Sequence, residues 1–291
     1  MRIQLHDDVA AFARLASPLY DADPVRHTLA ITVLDRVRDG REDPALMVTA
    51  HRAGTCSGSG RGVGAGSGTV IGAALRVEGR GVLVSGLPAV CAAEVDAVAA
   101  AVDPAPWGVT GPVEQAHAYA AAVAARTGGR FEVAMRQRLF RLLVLRCPAG
   151  VPGSARRAVP DDIELLAGWL EEFRREALPT LPAPDDPRPG LRDALVGGGI
   201  QLWEVGGEPV AYAAARPPIA AMSRVGPVYT PPEHRGHGYG TAVTAAATAW
   251  ALDAGARDVV LFTDLSNPVS NAIYPRIGYR AVEDMVELAF R

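Results

Sequence analysis

Between Val225 and Ala254 the chain runs from an apolar, strand-like segment through Pro231-Pro232-Glu233-His234-Arg235 and three alternating glycines, Gly236, Gly238 and Gly240, directly into a helix. The helix is expected because Val243, Ala247, Trp250, Ala251 and Ala254 recur on one face. A strand, a glycine turn and a helix in this order favour an anion. The glycines let a bulky group approach the backbone, while the unpaired amides of the first helical turn and the positive end of the helix dipole face that group. A pyrophosphate is the natural occupant.

Three readings compete for the turn. A dinucleotide fold wants Gly-x-Gly-x-x-Gly directly after its first strand and an acid at the end of the next. Here the third glycine comes one residue early and Pro231 to Arg235 intervene, although Asp264 imitates the ribose-binding acid. A second reading is a glycine turn required by backbone geometry alone. The third is an acyl-CoA pyrophosphate loop, (Gln/Arg)-x-x-Gly-x-(Gly/Ala), which Arg235 to Gly240 fit at every specified position.

Composition removes other chemistries. All 29 residues in the Lys+Arg total are arginine. Without lysine there is no P-loop lysine, no protein-kinase strand lysine and no Schiff base. Cys56, Cys91 and Cys147 are odd in number and lack C-x-x-C spacing, and the six histidines are scattered, so neither a disulfide framework nor a metal site is expected. A net charge of -3 offers no basic surface to nucleic acid or to an anionic membrane. No apolar run reaches about 18 residues, the length a membrane span needs, and the opening MRIQLHDDVA carries charges where a signal peptide needs its apolar core. The expectation is a soluble, cytoplasmic protein.

With 291 residues, 49% of them apolar, two domains of roughly 150 residues each are expected. The first half reads as a helix at 7–20, a second beginning at Asp23-Pro24, strands at 45–51, 69–77 and 81–85, helices near 91–102 and 112–127, and a β-rich stretch at 131–145. The low-complexity run Gly54-Thr55-Cys56-Ser57-Gly58-Ser59-Gly60, continuing to Gly68, leads into a strand rather than a helix and reads as a hairpin insertion. Cys147 to Ser154 is a helix-breaking stretch and sets the boundary. Beyond it come strand 156–159, helix 161–178 with the stripe Ile163, Leu166, Leu170, Phe173 and Ala177, a helix near 190–197, and strands 200–205, 209–216 and 222–229. Helix 239–254, strand 258–263, helix 268–276 and strands through 279–290 complete the chain. The similar order in both halves suggests a duplicated α/β unit.

After strand Val259 to Thr263 comes Asn267-Pro268-Val269-Ser270-Asn271-Ala272-Ile273-Tyr274-Pro275-Arg276-Ile277-Gly278-Tyr279. Together with the glycine loop, this segment resembles the GNAT superfamily of acyl-CoA-dependent N-acyltransferases over roughly residues 156–291. The resemblance implies an α/β (α+β) architecture of two GNAT-like domains, each a mixed, mostly antiparallel sheet flanked by helices. A degenerate N-terminal domain would occupy 1–147 and a catalytic one 156–291, as in tandem GNAT proteins. At Val109-Thr110-Gly111-Pro112-Val113-Glu114, where the first half's loop would fall, the arginine and the glycine spacing are missing.

The resemblance also implies roles. Val228, Tyr229 and Thr230 match the strand whose backbone bonds the pantetheine arm, splayed from its neighbour into a V-shaped cleft. Arg235, Gly236, His237, Gly238, Tyr239, Gly240 and Thr241 match the pyrophosphate loop, and Asn267 and Asn271 the polar positions beside the arm. Tyr274 matches the general acid that protonates the departing thiolate, with Pro275 after it able to bend the helix. Acetyl-CoA is the implied cosubstrate, without a metal, and the implied partner is an amine-bearing acceptor, small molecule or protein. All three cysteines precede residue 156, which favours direct attack by the amine in a ternary complex. Arg224 occupies the position where some members carry a strand glutamate as base, leaving Glu204, Asp264 or a water chain.

The acceptor-shaping segment would be Leu178 to Pro187, with Glu172, Glu176, Asp185 and Asp186 able to attract a cation. A non-catalytic acyl-CoA-binding protein is the alternative to an N-acetyltransferase.

Overall fold

The computed structural model describes residues 1–52, 68–178 and 186–291. The glycine-rich run at 54–60 and most of the expected acceptor segment, including Asp185, lie outside them. The described chain divides into two compact units, residues 1–136 with 284–291, and residues 137–283.

The first unit runs β1 (Arg2–Leu5), α1 (Val9–Asp21), α2 (Thr28–Arg38), β2 (Pro44–His51), β3 (Val70–Val77), β4 (Val82–Gly86), α3 (Ala92–Ala99), β5 (Gly108–Pro112) and α4 (Val113–Thr127). Asp8 caps α1, its carboxylate accepting from Ala11 N–H at 2.5 Å. α2 does not begin at Asp23-Pro24 as expected. The Asp23 carboxylate accepts from Arg26 N–H at 3.1 Å, closing a separate turn, and the helix begins only at Thr28.

The second half of β6 (Phe131–Leu142) opens the second unit, followed by β7 (Ser154–Arg157), α5 (Ile163–Ala177), α6 (Arg188–Gly197), β8 (Ile200–Val205), β9 (Glu208–Ala215) and β10 (Met222–Tyr229). After these come α7 (Tyr239–Asp253), β11 (Asp258–Asp264), α8 (Pro268–Arg276) and β12 (Tyr279–Phe290). Tyr279 to Phe290 form one continuous strand rather than several.

Both units repeat one topology. Strands β1 to β5 lie in order, all antiparallel except the parallel pair β4/β5, and Asp284–Phe290 of β12 closes the sheet beside β5. In the second unit β7 to β11 lie in order with only β10/β11 parallel, and Gln137–Leu142 of β6 closes the sheet beside β11. Two helices follow the first strand of each repeat, one joins the fourth to the fifth, and one follows the fifth. The strand that follows α4 therefore completes the second unit, and the strand that follows α8 completes the first. This pairing moves the division away from the expected break after Cys147: residues 137–147 belong to the second unit and 284–291 to the first.

In the second unit the pleat sorts side chains into two cores. On β9, Ala211 and Ala213 join Val243, Ala247 and Ala251 of α7, while Tyr212 joins Leu166 of α5 and Leu191 of α6. Of the expected α5 stripe, Ile163, Leu170 and Phe173 pack around Leu166, joined by Leu165 and Trp169 from outside it. A leucine buried to that extent contributes roughly 1.5–3 kcal/mol.

Candidate active site

The site begins where two parallel strands part. Their register runs from Met222 against Asp258 to Val225 against Leu261 and ends there, although β10 continues to Tyr229 and β11 to Asp264. Against β9, one extra residue is accommodated between Val225 and Val228, which face Ala215 and Ala213. Pro227 lies in that bulge and brings no N–H to either ladder. Val228 packs against the α7 core and Tyr229 joins the α5 core, so the two residues point to opposite faces.

Beyond β10, Pro232–His234 make a single 3-10 turn. Gly236 (φ 86°) and Gly238 (φ 83°) then adopt left-handed conformations that a side chain would strain. A Cβ on Gly236 would meet nothing within 4 Å, whereas one on Gly238 would stand 3.3 Å from Val151 Cγ2 and one on Gly240 3.2 Å from Thr230 Oγ1. Gly238 caps α7, and its carbonyl accepts from Ala242 N–H at 3.0 Å. The amides of Tyr239, Gly240 and Thr241 precede that bond and are the first-turn donors a helix leaves for an anion. The exposed His237 ring stacks on Tyr239, with centroids 5.3 Å apart.

Arg235 is not left pointing into the loop. Its Nε donates to Thr230 O at 2.9 Å and its Nη2 to Glu176 at 2.7 Å, and the guanidinium lies 5.7 Å from the Tyr229 ring centre. The Tyr229 hydroxyl donates to Glu172 at 2.9 Å and to Glu176 at 3.3 Å. Burial first, and then these carboxylates, push the Tyr229 hydroxyl up to about 12.

The two asparagines build the β11–α8 turn. Asn267 Oδ1 accepts from Ser270 N–H at 3.1 Å and caps α8. Asn271 accepts from Thr263 Oγ1 at 2.7 Å and donates to Asp264 O at 2.9 Å and Asn267 O at 2.8 Å. Tyr274 is 6% exposed, between Phe140 and Tyr279 at centroid distances of 6.3 and 6.2 Å. Burial pushes its hydroxyl up to about 12, partly offset by a hydrogen bond with Ser270, one helical turn earlier. That four-residue spacing, Ser270 to Tyr274, is the one local signal of this contact in the sequence. Tyr279, beyond it, shares a 2.7 Å hydrogen bond with Thr248 of α7.

The candidate bases are otherwise engaged. Glu204 is paired with Arg156, and Asp264 accepts from Ser266 N–H at 2.8 Å. Arg224 stands opposite Val260 within the parallel ladder. Asp186 pairs with Arg188 at 3.0 Å. Among the described residues, no three His, Cys, Asp or Glu side chains are grouped to hold a metal, and no helix is long and apolar enough to cross a membrane.

Strand order relocates the first unit's counterpart of this loop. The equivalent of the β10–α7 connection is the β4–α3 connection, Leu87 to Cys91, and not Val109 to Glu114, which corresponds to the β11–α8 turn. The β4–α3 connection is shorter and contains no glycine, and Leu87 and Cys91 are buried in the core with Val84. The β4/β5 ladder ends at Leu83 against Thr110, and one residue further on a Cβ on Gly111 would come within 2.6 Å of Val84 Cγ2.

The sequence model of the Acetyltransferase (GNAT) family matches residues 164–279. No curated protein sequence matches the chain. An acetyltransferase of the GNAT family from Colwellia psychrerythraea superposes with a TM-score of 0.61 at 11% identity, covering 100% of both chains. A Drosophila protein gives 0.64 at 13% identity, covering 99% of this chain and 98% of its own. A GCN5-related N-acetyltransferase from Sphaerobacter thermophilus gives 0.59 at 16%, covering 98% and 94%. At these identities the likeness is one of fold. Over residues 164–279, the chain is similar to the GNAT acetyltransferase family.

Proposed function

We propose that the second unit transfers an acetyl group from acetyl-CoA to a primary amine by direct attack in a ternary complex, and that the first unit is a degenerate repeat without a cosubstrate site. The observation that carries this reading is the parting of β10 and β11 beyond Val225 and Leu261, next to a turn whose left-handed glycines open α7. The open space beside Gly236 suits a bulky anion that no side chain could share.

In this reading the main chain of Val228, Tyr229 and Thr230 lines the pantetheine arm. The loop from Arg235 through Gly236, His237, Gly238, Tyr239, Gly240 and Thr241 holds the pyrophosphate. Asn267 and Asn271 act through the turn they build, setting where α8 starts and so where Tyr274 stands. A hydroxyl pushed up to about 12 keeps its proton at neutral pH, and Tyr274 delivers it to the departing thiolate.

The alternative, a protein that binds acyl-CoA without turnover, draws its support from Arg224 at the strand position where a basic carboxylate would stand. Thiol release from acetyl-CoA, measured across a panel of primary amines, separates the two. The enzyme reading expects release that depends on the amine, and binding without such release would leave only the alternative.

A further inference from the structure

Resting on the acyl-CoA reading of the loop, we infer that Glu176 is a positioning residue for cosubstrate binding, acting through Arg235. An arginine opening a pyrophosphate loop invites the assumption that its charge meets the phosphates. Here the guanidinium is engaged on three sides, by Thr230 O, the Glu176 carboxylate and the Tyr229 ring. The Tyr229 hydroxyl returns to the same α5 carboxylates. The end of β10, the last turn of α5 and the start of the loop are thereby fastened together, across 59 residues of sequence between Glu176 and Arg235. The backbone that follows Arg235 carries the amides of Gly236 to Thr241, so their direction depends on where Glu176 holds Arg235.

The sign of the effect distinguishes this role from simple electrostatics. Glu176 is an anion near a site for an anion, so on charge alone its removal should tighten binding. If it positions the loop, its removal weakens binding.

The test is calorimetric titration of CoA into the full chain, wild type against Glu176→Gln and Glu176→Arg. The pair is exposed, at 48% and 41% for the two side chains. Glu176→Gln is therefore expected to weaken CoA binding by about threefold, within the range for such pairs. Glu176→Arg repels Arg235 and is expected to weaken binding further, although it brings a cation towards the phosphates. It also keeps the inference testable if Glu176→Gln fails to fold, because a cation suits the C-terminal turn of α5. With acetyl-CoA saturating, kcat should hold while KM for acetyl-CoA rises. Folded variants that bind CoA as tightly as wild type, or more tightly, would overturn the inference and leave the acyl-CoA reading standing. A wild-type chain that binds no CoA would overturn both.

Discussion

Val225 and Leu261 form the last rung of the parallel ladder between β10 and β11, next to the glycine turn that opens α7, whereas the first unit's counterpart connection after β4 has no glycine and buries Leu87 and Cys91. One chain should therefore bind one acetyl-CoA. Calorimetry is expected to give a stoichiometry of one, and two equivalent sites would mean that the buried β4–α3 connection opens.

His237 offers a clean probe of the anion loop. A carboxylate at Gly238 would be ambiguous, since the left-handed backbone and Val151 together would cost about 1–2 kcal/mol of stability. His237 is exposed and its φ is not positive. His237→Glu should weaken CoA binding by about tenfold or more through like-charge repulsion while the melting temperature stays near that of wild type. Unchanged affinity would reduce the loop to a backbone turn.

Much of this architecture is legible in the sequence, and the remainder depends on pairings between distant segments. Val243, Ala247 and Ala251, whose spacing predicts α7, are buried along it, Ala254 of the same stripe is exposed just past its end, and the glycines mark the turn before it. Local signals fail where two local solutions compete, as at Asp23, whose carboxylate closes its own turn before α2 begins. They carry no information on which distant strand completes a sheet. Gln137–Leu142 pair with β11, and Asp284–Phe290 with β5, each across a long stretch of intervening sequence. The same applies to Arg235: its motif position is local, but its partner Glu176 is known only once α5 packs beside β10.

The strand pairing has a direct consequence for fragments. A chain of residues 156–291 lacks Gln137–Leu142 and would expose the edge of β11, where Val259, Val260 and Leu261 are buried in the full chain. Residues 137–283 keep that pairing. Cooperative thermal unfolding is expected for 137–283 and aggregation for 156–291, and the opposite outcome would reject the exchange of last strands.

Asp162 ties β7 to α5. Its carboxylate accepts from Arg156 at 2.7 and 2.8 Å and from Val159 N–H at 2.7 Å. The Arg156 hydrogen bonds hold its carboxyl below the usual range, against the opposing effect of burial. A lowered value in the folded state means that the contribution is present above the unfolded value near 3.8 and fades as pH falls through the folded one. Asp162→Asn should cost about 1–2 kcal/mol near neutral pH, discounted for the partly exposed arginine. Denaturant titrations should show the gap to wild type shrinking below about pH 4. A gap that is constant from neutral to acid pH would contradict the ionic origin.

The most direct measurement is turnover of Tyr274→Phe, with acetyl-CoA, an accepted amine and the chemical step shown to be rate-limiting. The ring and its contacts with Phe140 and Tyr279 are retained and only the hydroxyl is lost. Turnover should fall about 10²-fold, the low end for a general acid, with CoA affinity nearly unchanged. Turnover within about twofold of wild type would contradict the account and remove Tyr274 from the chemistry.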